Sequence, residues 1–448
     1  MRRCMNHLAY VFERFPSFTQ TFCVREILEL ERQGLKPLIF SIHDVSDEEV
    51  NHFPPDLVKR VHVLPPEKQL VEAVQRLKDE RKLPQSIVLT LREWGDLPDK
   101  MRVYEAAYIG HEMEKAGVRH AHTHFAGIGA RTCWWLRQFH EFTYSFTGHA
   151  NDIFVDPKLP VTLRHLMDGA AMVATVSDFT ADWLRKQYPA AAGKVHRVYN
   201  GLDLDAITNA VAGAAKLSPP LIFSVGRLIE KKGFDDLIHS CAILRDAGID
   251  FQCAIAGDGP MQEELTALIN EYQLAGKVTL LGAQSQDQIK QWLAGTTIFA
   301  LPCVTEKDGG RDNLPTVLME AMAAVLPCAS TRLAGVPEMV VHEETGLLCD
   351  ERQPKEFARL LERLLKDPTL CERYGKAGLA RARNLFAQEK TAHQLILLQI
   401  QFGNVARDET LIQRHPDLAG AYAKQWLPKL KRWFHHRFHH RKKQAIKP

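Results

Sequence analysis

Two carboxylates, Asp312 and Glu320, stand eight residues apart in LPCVTEKDGGRDNLPTVLMEAMA, residues 301–323, around a glycine pair and a helix start. Gly309 and Gly310 make a flexible loop, Pro315 suits the first turn of a helix, and Glu320 lies just over one turn beyond Thr316. Exposed amides at that helix start, in the run Asn313-Leu314-Pro315-Thr316, can take phosphate oxygens. A carboxylate further along the helix can accept two vicinal hydroxyls. Asp312 falls on the loop, where a sugar attached to the phosphate would lie. A solvated loop acid and a helix-surface acid are the bland alternatives, and the combination of glycines, helix start and both acids weighs against them.

A second constellation is SVGRLIEKKGFDDLI, in which a strand runs into Gly226 and Arg227, and Lys231, Lys232 and Gly233 precede a helix. A guanidinium and an ammonium near a strand's carboxyl end can neutralise a diphosphate as it departs. A solvated basic turn is the alternative, and the segment lacks the Gly-Lys-Ser/Thr ending of a P-loop. In AGDGPMQEEL, Gly257 opens a turn between strand and helix that would let a backbone approach a ligand, although the third glycine of a dinucleotide fingerprint is missing. FTGHANDIF puts His149 and Asp152 just after a strand, where an imidazole can hydrogen-bond a sugar or a phosphate. His122 and His124 have the same ambiguity, and histidines without HExxH spacing give no reason to expect a metal.

These residues need elements to hold them. From Leu8 to His165 short apolar runs such as LAYVF and PLIFSIH alternate with helical periodicity, as in VREILELERQG and RVYEAAYIGHEMEKAG. After Pro219 the same grammar returns: LIFSVGRL, then FDDLIHSCAILRDAG, then FQCAIAGDG and PMQEELTALINEYQ. Alternating strand and helix predicts parallel sheets, and two successive series predict an α/β protein of two Rossmann-like lobes with a ligand cleft between them. The weakest stretch, residues 204–220, is rich in Ala, Asn, Ser and Pro and reads as the linker. The expected division is residues 1–203 for a first lobe and 204–384 for a second. Residues 385–423 would form helices packing back on the first lobe, and 424–448 a basic aromatic tail.

With 45% hydrophobic and 25% charged residues in 448, the chain suits a globular protein rather than a disordered or fibrous one. A formal charge of only +3 gives no support to a nucleic-acid partner. Nine cysteines without a CxxC pair read as reduced thiols, hence a cytoplasmic location. Asn6, His7 and Glu13 interrupt the start too early for a secretory signal, and no stretch reaches about 18 apolar residues, so membrane contact would be peripheral.

The blocks FTGHANDIF, TVSDFTADWL, VYNGLD, SVGRLIEKKG, AGDGP and DNLPTVLMEAMA, followed by LAGVPEMV and TGLL, resemble in this order the retaining glycosyltransferases of family 4 with the two-lobed glycosyltransferase B fold. FPSFTQTFCVREILEL is similar to the subset that builds bacterial exopolysaccharides of the colanic-acid type. The resemblance implies retaining transfer of a hexosyl-type sugar from a nucleotide-diphosphate sugar to a saccharide acceptor, lipid-linked in that subset, with no cofactor and no metal. It gives Arg227 and Lys232 the donor diphosphate and Glu320 the ribose. It puts Gly226, Gly257 and residues 313–316 along the donor, and His149 and Asp312 at the transferred sugar. The family's first acid is Glu followed by Gly, whereas this chain has Asp312 and Asn313. Asp203 and Asp205 form a DxD string, but they follow Asn200-Gly201, matching the family's turn at the end of the first lobe. The tail would hold the chain at the anionic inner face of the cytoplasmic membrane. A nucleotide-sugar epimerase of similar architecture, or a degenerate transferase serving as a membrane assembly partner, are the competing readings.

Overall fold

A computed structural model describes residues 7–17, 20–45, 53–94, 99–155 and 158–425. The apolar run at the start forms β1 (Leu8–Arg14), whose first five residues are all buried. It is followed by β2 (Pro37–His43), β3 (Val61–Val63), β4 (His120–His124), β5 (Thr143–Gly148), β6 (Met172–Thr175) and β7 (Val195–Arg197). A second series comprises β8 (Leu221–Val225), β9 (Gln252–Ala256), β10 (Val278–Leu280), β11 (Ile298–Leu301), β12 (Cys328–Thr331) and β13 (Gly346–Cys349). Burial runs continuously along β4, β11 and β12 instead of alternating, because helices cover both faces of each sheet.

The strand orders are β3-β2-β1-β4-β5-β6-β7 and β10-β9-β8-β11-β12-β13, and the pairings are parallel. This is the two-lobed α/β fold expected from the sequence. Each order reverses once, between β1 and β4 in the first sheet and between β8 and β11 in the second. In parallel sheets the crevice outside the strand ends at such a reversal is where ligands bind, so the loops after β1, β4, β8 and β11 are the places to look.

The stretch read as a linker is partly helical. Asp203 caps a helix at Leu204–Val211, accepting from the Ala206 amide at 3.0 Å, and Leu204 and Ile207 join the core of the second lobe. Apolar residues at positions 204, 207 and 211 give that helix a face to bury, which the Ala- and Asn-rich composition concealed. Residues 212–220 alone remain as the connection. Further on, Leu202 and Phe386–Gln388 exchange backbone hydrogen bonds at 2.9 and 3.2 Å. The helix Gln388–Phe402 then lays Ala392, Ile396 and Ile400 against Leu8, Tyr10, Cys23 and Ile27 of the first lobe. Burying each large side chain there contributes about 1.5–3 kcal/mol, so the chain's last helices are fastened to its first strand.

Candidate functional site

The loops after β8 and β11 carry the basic and acidic residues singled out above. After β8 come Gly226 and the exposed Arg227, then a single 3-10 turn, Glu230–Lys232, and the helix Phe234–Asp246. Gly233 between them has φ +65°, and a side chain there would strike the Pro302 carbonyl after β11, so only glycine lets the two loops close together. Val304 donates to the Lys231 carbonyl at 3.0 Å and ties the loops further.

Lys232 and Asp312 form an ion pair across this contact, with Lys231 Nζ 3.8 Å from the other carboxylate oxygen. Burial works against charge on Lys232, but the Asp312 carboxylate outweighs it and raises the ammonium's pKa above its usual value. Asp312 also accepts from the Cys303 thiol at 3.7 Å. The cation read for a diphosphate and the acid read for a sugar are therefore partners of each other.

The helix Thr316–Ala323 begins one residue after Pro315, which sits extended at the N-cap rather than in the first turn. No side chain caps this end. Glu320 is buried on that helix; burial pushes its pKa up, and the guanidinium of Arg25, reaching from the first lobe, pulls the other way. The Arg25 Nε finds no hydrogen-bond partner among the described residues.

Three residues of the second lobe, Asn313, Arg311 and Glu338, reach the first lobe beside these groups. Asn313 Nδ2 donates to the His149 carbonyl at 2.7 Å, and its oxygen accepts from Ser177 Oγ at 2.6 Å. Arg311 lies over the Phe154 ring, 5.3 Å from its centroid. Glu338, from LAGVPEMV, accepts from the Asp178 and Phe179 amides at 2.8 and 2.9 Å and from the Tyr199 hydroxyl at 2.9 Å.

His149 follows β5, as expected, and Asp152 holds its turn by accepting from the amides of Ala126, His149 and Ala150. Its imidazole is buried between Phe22 and Phe125, with Nε2 3.0 Å from His124 Nδ1. Burial and the neighbouring His124 lower its pKa well below the ordinary histidine value. Glu26, His122 and His124 bring possible ligand atoms within 4.8 Å of one another, yet His122 engages both ring nitrogens with Ser145 and Thr147.

Some sequence expectations change here. Gly257 has φ +137°, a side chain there would strike the Gly226 carbonyl, and its amide donates to the Gly282 carbonyl at 2.8 Å. The close approach of the Gly226 carbonyl by itself accounts for a glycine here. The Asn313 side chain faces the first lobe on both its polar atoms, so donor contact there is left to the backbone. Leu314 and Pro315 are buried, and Thr316 is half-buried. Asp203 caps a helix and Asp205 pairs with Arg383 at 3.0 Å, which accounts for both acids of the DxD string. Arg25, Glu26, Ser177 and Glu338 were not singled out. For Glu26 a signal existed: it lies three residues after Cys23 and four before Leu30, on the buried face of the helix Thr21–Arg32.

A family model described as Glycosyltransferase Family 4 matches residues 20–206, and one described as Glycosyl transferases group 1 matches residues 208–381. The chain is 38% identical over 147 residues to a protein of Escherichia coli (strain K12), WcaL, whose name assigns it to colanic acid biosynthesis. It is 39% identical over 146 residues to the amylovoran biosynthesis glycosyltransferase AmsK of Erwinia amylovora. Each match covers 33% of this chain and 36% of the relative, so the chain spans about a third of the length of these two relatives. Anabaena HepE, solved in complex with UDP, has the same fold, with a TM-score of 0.62 at 17% identity over 87% of this chain and 98% of HepE. With one family model on each lobe and two sheets that reverse where a donor site is expected, the chain belongs to the two-lobed glycosyltransferases, family 4 in its first lobe and group 1 in its second.

Proposed function

We propose that this chain is a retaining glycosyltransferase that moves a hexosyl-type sugar from a nucleotide-diphosphate sugar to a saccharide acceptor, lipid-linked, in exopolysaccharide synthesis. The observation that carries the reading is the Lys232–Asp312 pair at the sheet reversal, with Arg227 beside it and Glu320 on the adjoining helix. The names of WcaL and AmsK support the pathway class, and UDP in HepE supports the donor class.

In this reading Arg227 and Lys232 take the donor diphosphate and stabilise the charge that develops as it leaves. Glu320 accepts the ribose hydroxyls. Asp312, bonded to Lys232, stands where it can accept a hydroxyl of the transferred sugar while keeping the ammonium aimed at the phosphates. His149 approaches that sugar from the first lobe, and the Asn313 and Glu338 contacts keep the lobes closed, which excludes water and limits donor hydrolysis. The chain acts in the cytoplasm, at the inner membrane face, where a lipid-linked acceptor is found. Among the described residues no helix is long and apolar enough to cross a membrane.

A thermal-shift screen with nucleoside diphosphates and their sugars tests the donor half, since a ligand that binds only the folded state raises Tm. Stabilisation by one nucleotide, followed by sugar transfer to a saccharide extract, is the expected result. Interconversion of free nucleotide sugars without an acceptor would overturn it in favour of an epimerase.

A further inference from the structure

His120, His122 and His124 share one face of β4, at alternate positions along the strand, and step toward the end where the site lies. The first two bond to hydroxyls of β5: His120 to Thr143 and Ser145 at 2.9 Å each, His122 to Ser145 and Thr147 at 2.7 and 3.1 Å. His124 is engaged differently. Its Nε2 lies 3.0 Å from Glu26 Oε1, and its Nδ1 lies 3.0 Å from His149 Nε2. Glu26 is held in turn by the Tyr10 hydroxyl at 2.7 Å. A half-buried carboxylate and two buried imidazoles thus form one chain ending at the residue read as a sugar contact.

A hydrogen bond between two ring nitrogens needs one proton and one lone pair, so the charge on His124 decides the tautomer of His149. With Glu26 accepting from Nε2–H, a cationic His124 donates from Nδ1 to His149 Nε2 and leaves the His149 proton on Nδ1. A neutral His124 does the reverse: it accepts from His149 Nε2–H and leaves Nδ1 bare. We propose that Glu26 and His124 are positioning residues that hold His149 with its proton on Nδ1, making it a hydrogen-bond donor to the transferred sugar. This rests on the reading of His149 given under the proposed function.

The groups facing His124 are Tyr10 from β1, Cys23 and Glu26 from the first helix, His122 on its own strand and His149 after β5. Burial opposes charge on His124 and also holds Cys23 as the neutral thiol, so the Glu26 carboxylate, 3.0 Å from Nε2, is the group that favours the cation and raises the His124 pKa. The His149 pKa moves the opposite way. The direction on both rings is that of a cationic His124 beside a neutral His149.

The sign for activity follows. The competent form needs His124 charged, so turnover falls as pH rises through the His124 titration. Replacing Glu26 with Gln keeps the shape but removes the carboxylate, and should move that fall to lower pH by about 1–3 units. Turnover of UDP-glucose or GDP-mannose, whichever stabilises the full chain, is followed against pH for wild type, Glu26→Gln and His149→Ala, with thermal unfolding to verify each fold. Nitrogen-15 NMR of histidine-labelled wild type, with His149→Gln for assignment, reads the tautomer without relying on any variant's activity. Protonated Nδ1 and unprotonated Nε2 on His149 are expected. A His149 proton on Nε2 in wild type, or an unmoved alkaline limb in Glu26→Gln, would overturn the relay. Full turnover in His149→Ala would instead remove the reading of His149 on which the relay rests.

Discussion

The side-chain amide of Asn313 joins the two lobes at the site itself, donating to the His149 carbonyl at 2.7 Å while its oxygen accepts from Ser177 at 2.6 Å. Asn313 adjoins Asp312, so one residue's side chain fixes the distance between the two groups assigned to the sugar. Asn313→Ala should leave the Ser177 hydroxyl and the His149 carbonyl without these partners and cost about 1–3 kcal/mol of stability. It should also raise the KM for donor, because closure is no longer held. Thermal unfolding with donor titration checks this, and an unchanged Tm with an unchanged KM contradicts it.

The Lys232–Asp312 pair makes an asymmetric prediction. Arg227→Ala and Lys232→Ala should each remove charge-assisted bonds worth about 1.5–3 kcal/mol and slow transfer tenfold or more. Asp312→Asn should lower turnover yet hold or raise affinity for the free nucleoside diphosphate, because it frees Lys232 from its intramolecular partner. Calorimetry with the diphosphate separates these outcomes. A large loss of its affinity in Asp312→Asn argues against the division of roles.

Glu320 bears on both binding and stability. Burial raises its folded pKa, so the native state holds a proton that the unfolded chain has released, and stability declines as pH rises from the ordinary glutamate value through the raised one. Glu320→Gln should remove that decline and flatten Tm against pH, while weakening nucleotide binding through the ribose. A Tm profile parallel to wild type, or undiminished nucleotide affinity, counts against this assignment.

Much of the fold was legible because it is written locally. Continuous apolar runs such as LAYVF and LIFSV announced buried parallel strands, and their alternation with helical periodicity announced two lobes. The candidate residues could be singled out for the same reason, since strand ends and glycine turns are local signals. Pairings across long separations were not. Lys232 and Asp312 are 80 residues apart, Ser177 and Asn313 are 136 apart, and nothing in either segment names the other. At Gly257 a tight turn and a place for ligand approach read alike, because positive φ and close packing leave the same trace in a sequence as ligand approach.

The stereochemical prediction comes from the family. The product should keep the anomeric configuration of the donor, and transfer should persist in EDTA. NMR of the product anomer checks the first and an EDTA series the second. Inversion, or abolition by EDTA with rescue by Mn²⁺, would count against the mechanism.

The basic aromatic tail supplies the last prediction. From residue 424 to the end the chain has nine Lys and Arg residues and no acid, interleaved with Trp426, Leu427, Leu430, Trp433, Phe434 and Phe438. Residues 426–448 lie outside those the structure describes, so the argument is one of composition. Near an anionic leaflet each basic side chain contributes about 1 kcal/mol, and tryptophan favours the interface, so cations and aromatic anchors act together. The described part ends at the helical turn containing Tyr422 and Gln425, packed by hydrogen bonds from Tyr422 to the Ala406 carbonyl and from Gln425 to the Gly403 carbonyl. The described chain therefore ends packed against the first lobe. Liposome flotation should recover the full chain on anionic vesicles at low salt, less at high salt, and little on neutral vesicles. A chain ending at Ala423 should stay with the soluble fraction in all cases. His435, His436, His439 and His440 are potential ligands for stray metal, so the assay is run in EDTA. Equal recovery of both proteins on anionic vesicles would reject the anchor, whatever the activity on a soluble acceptor.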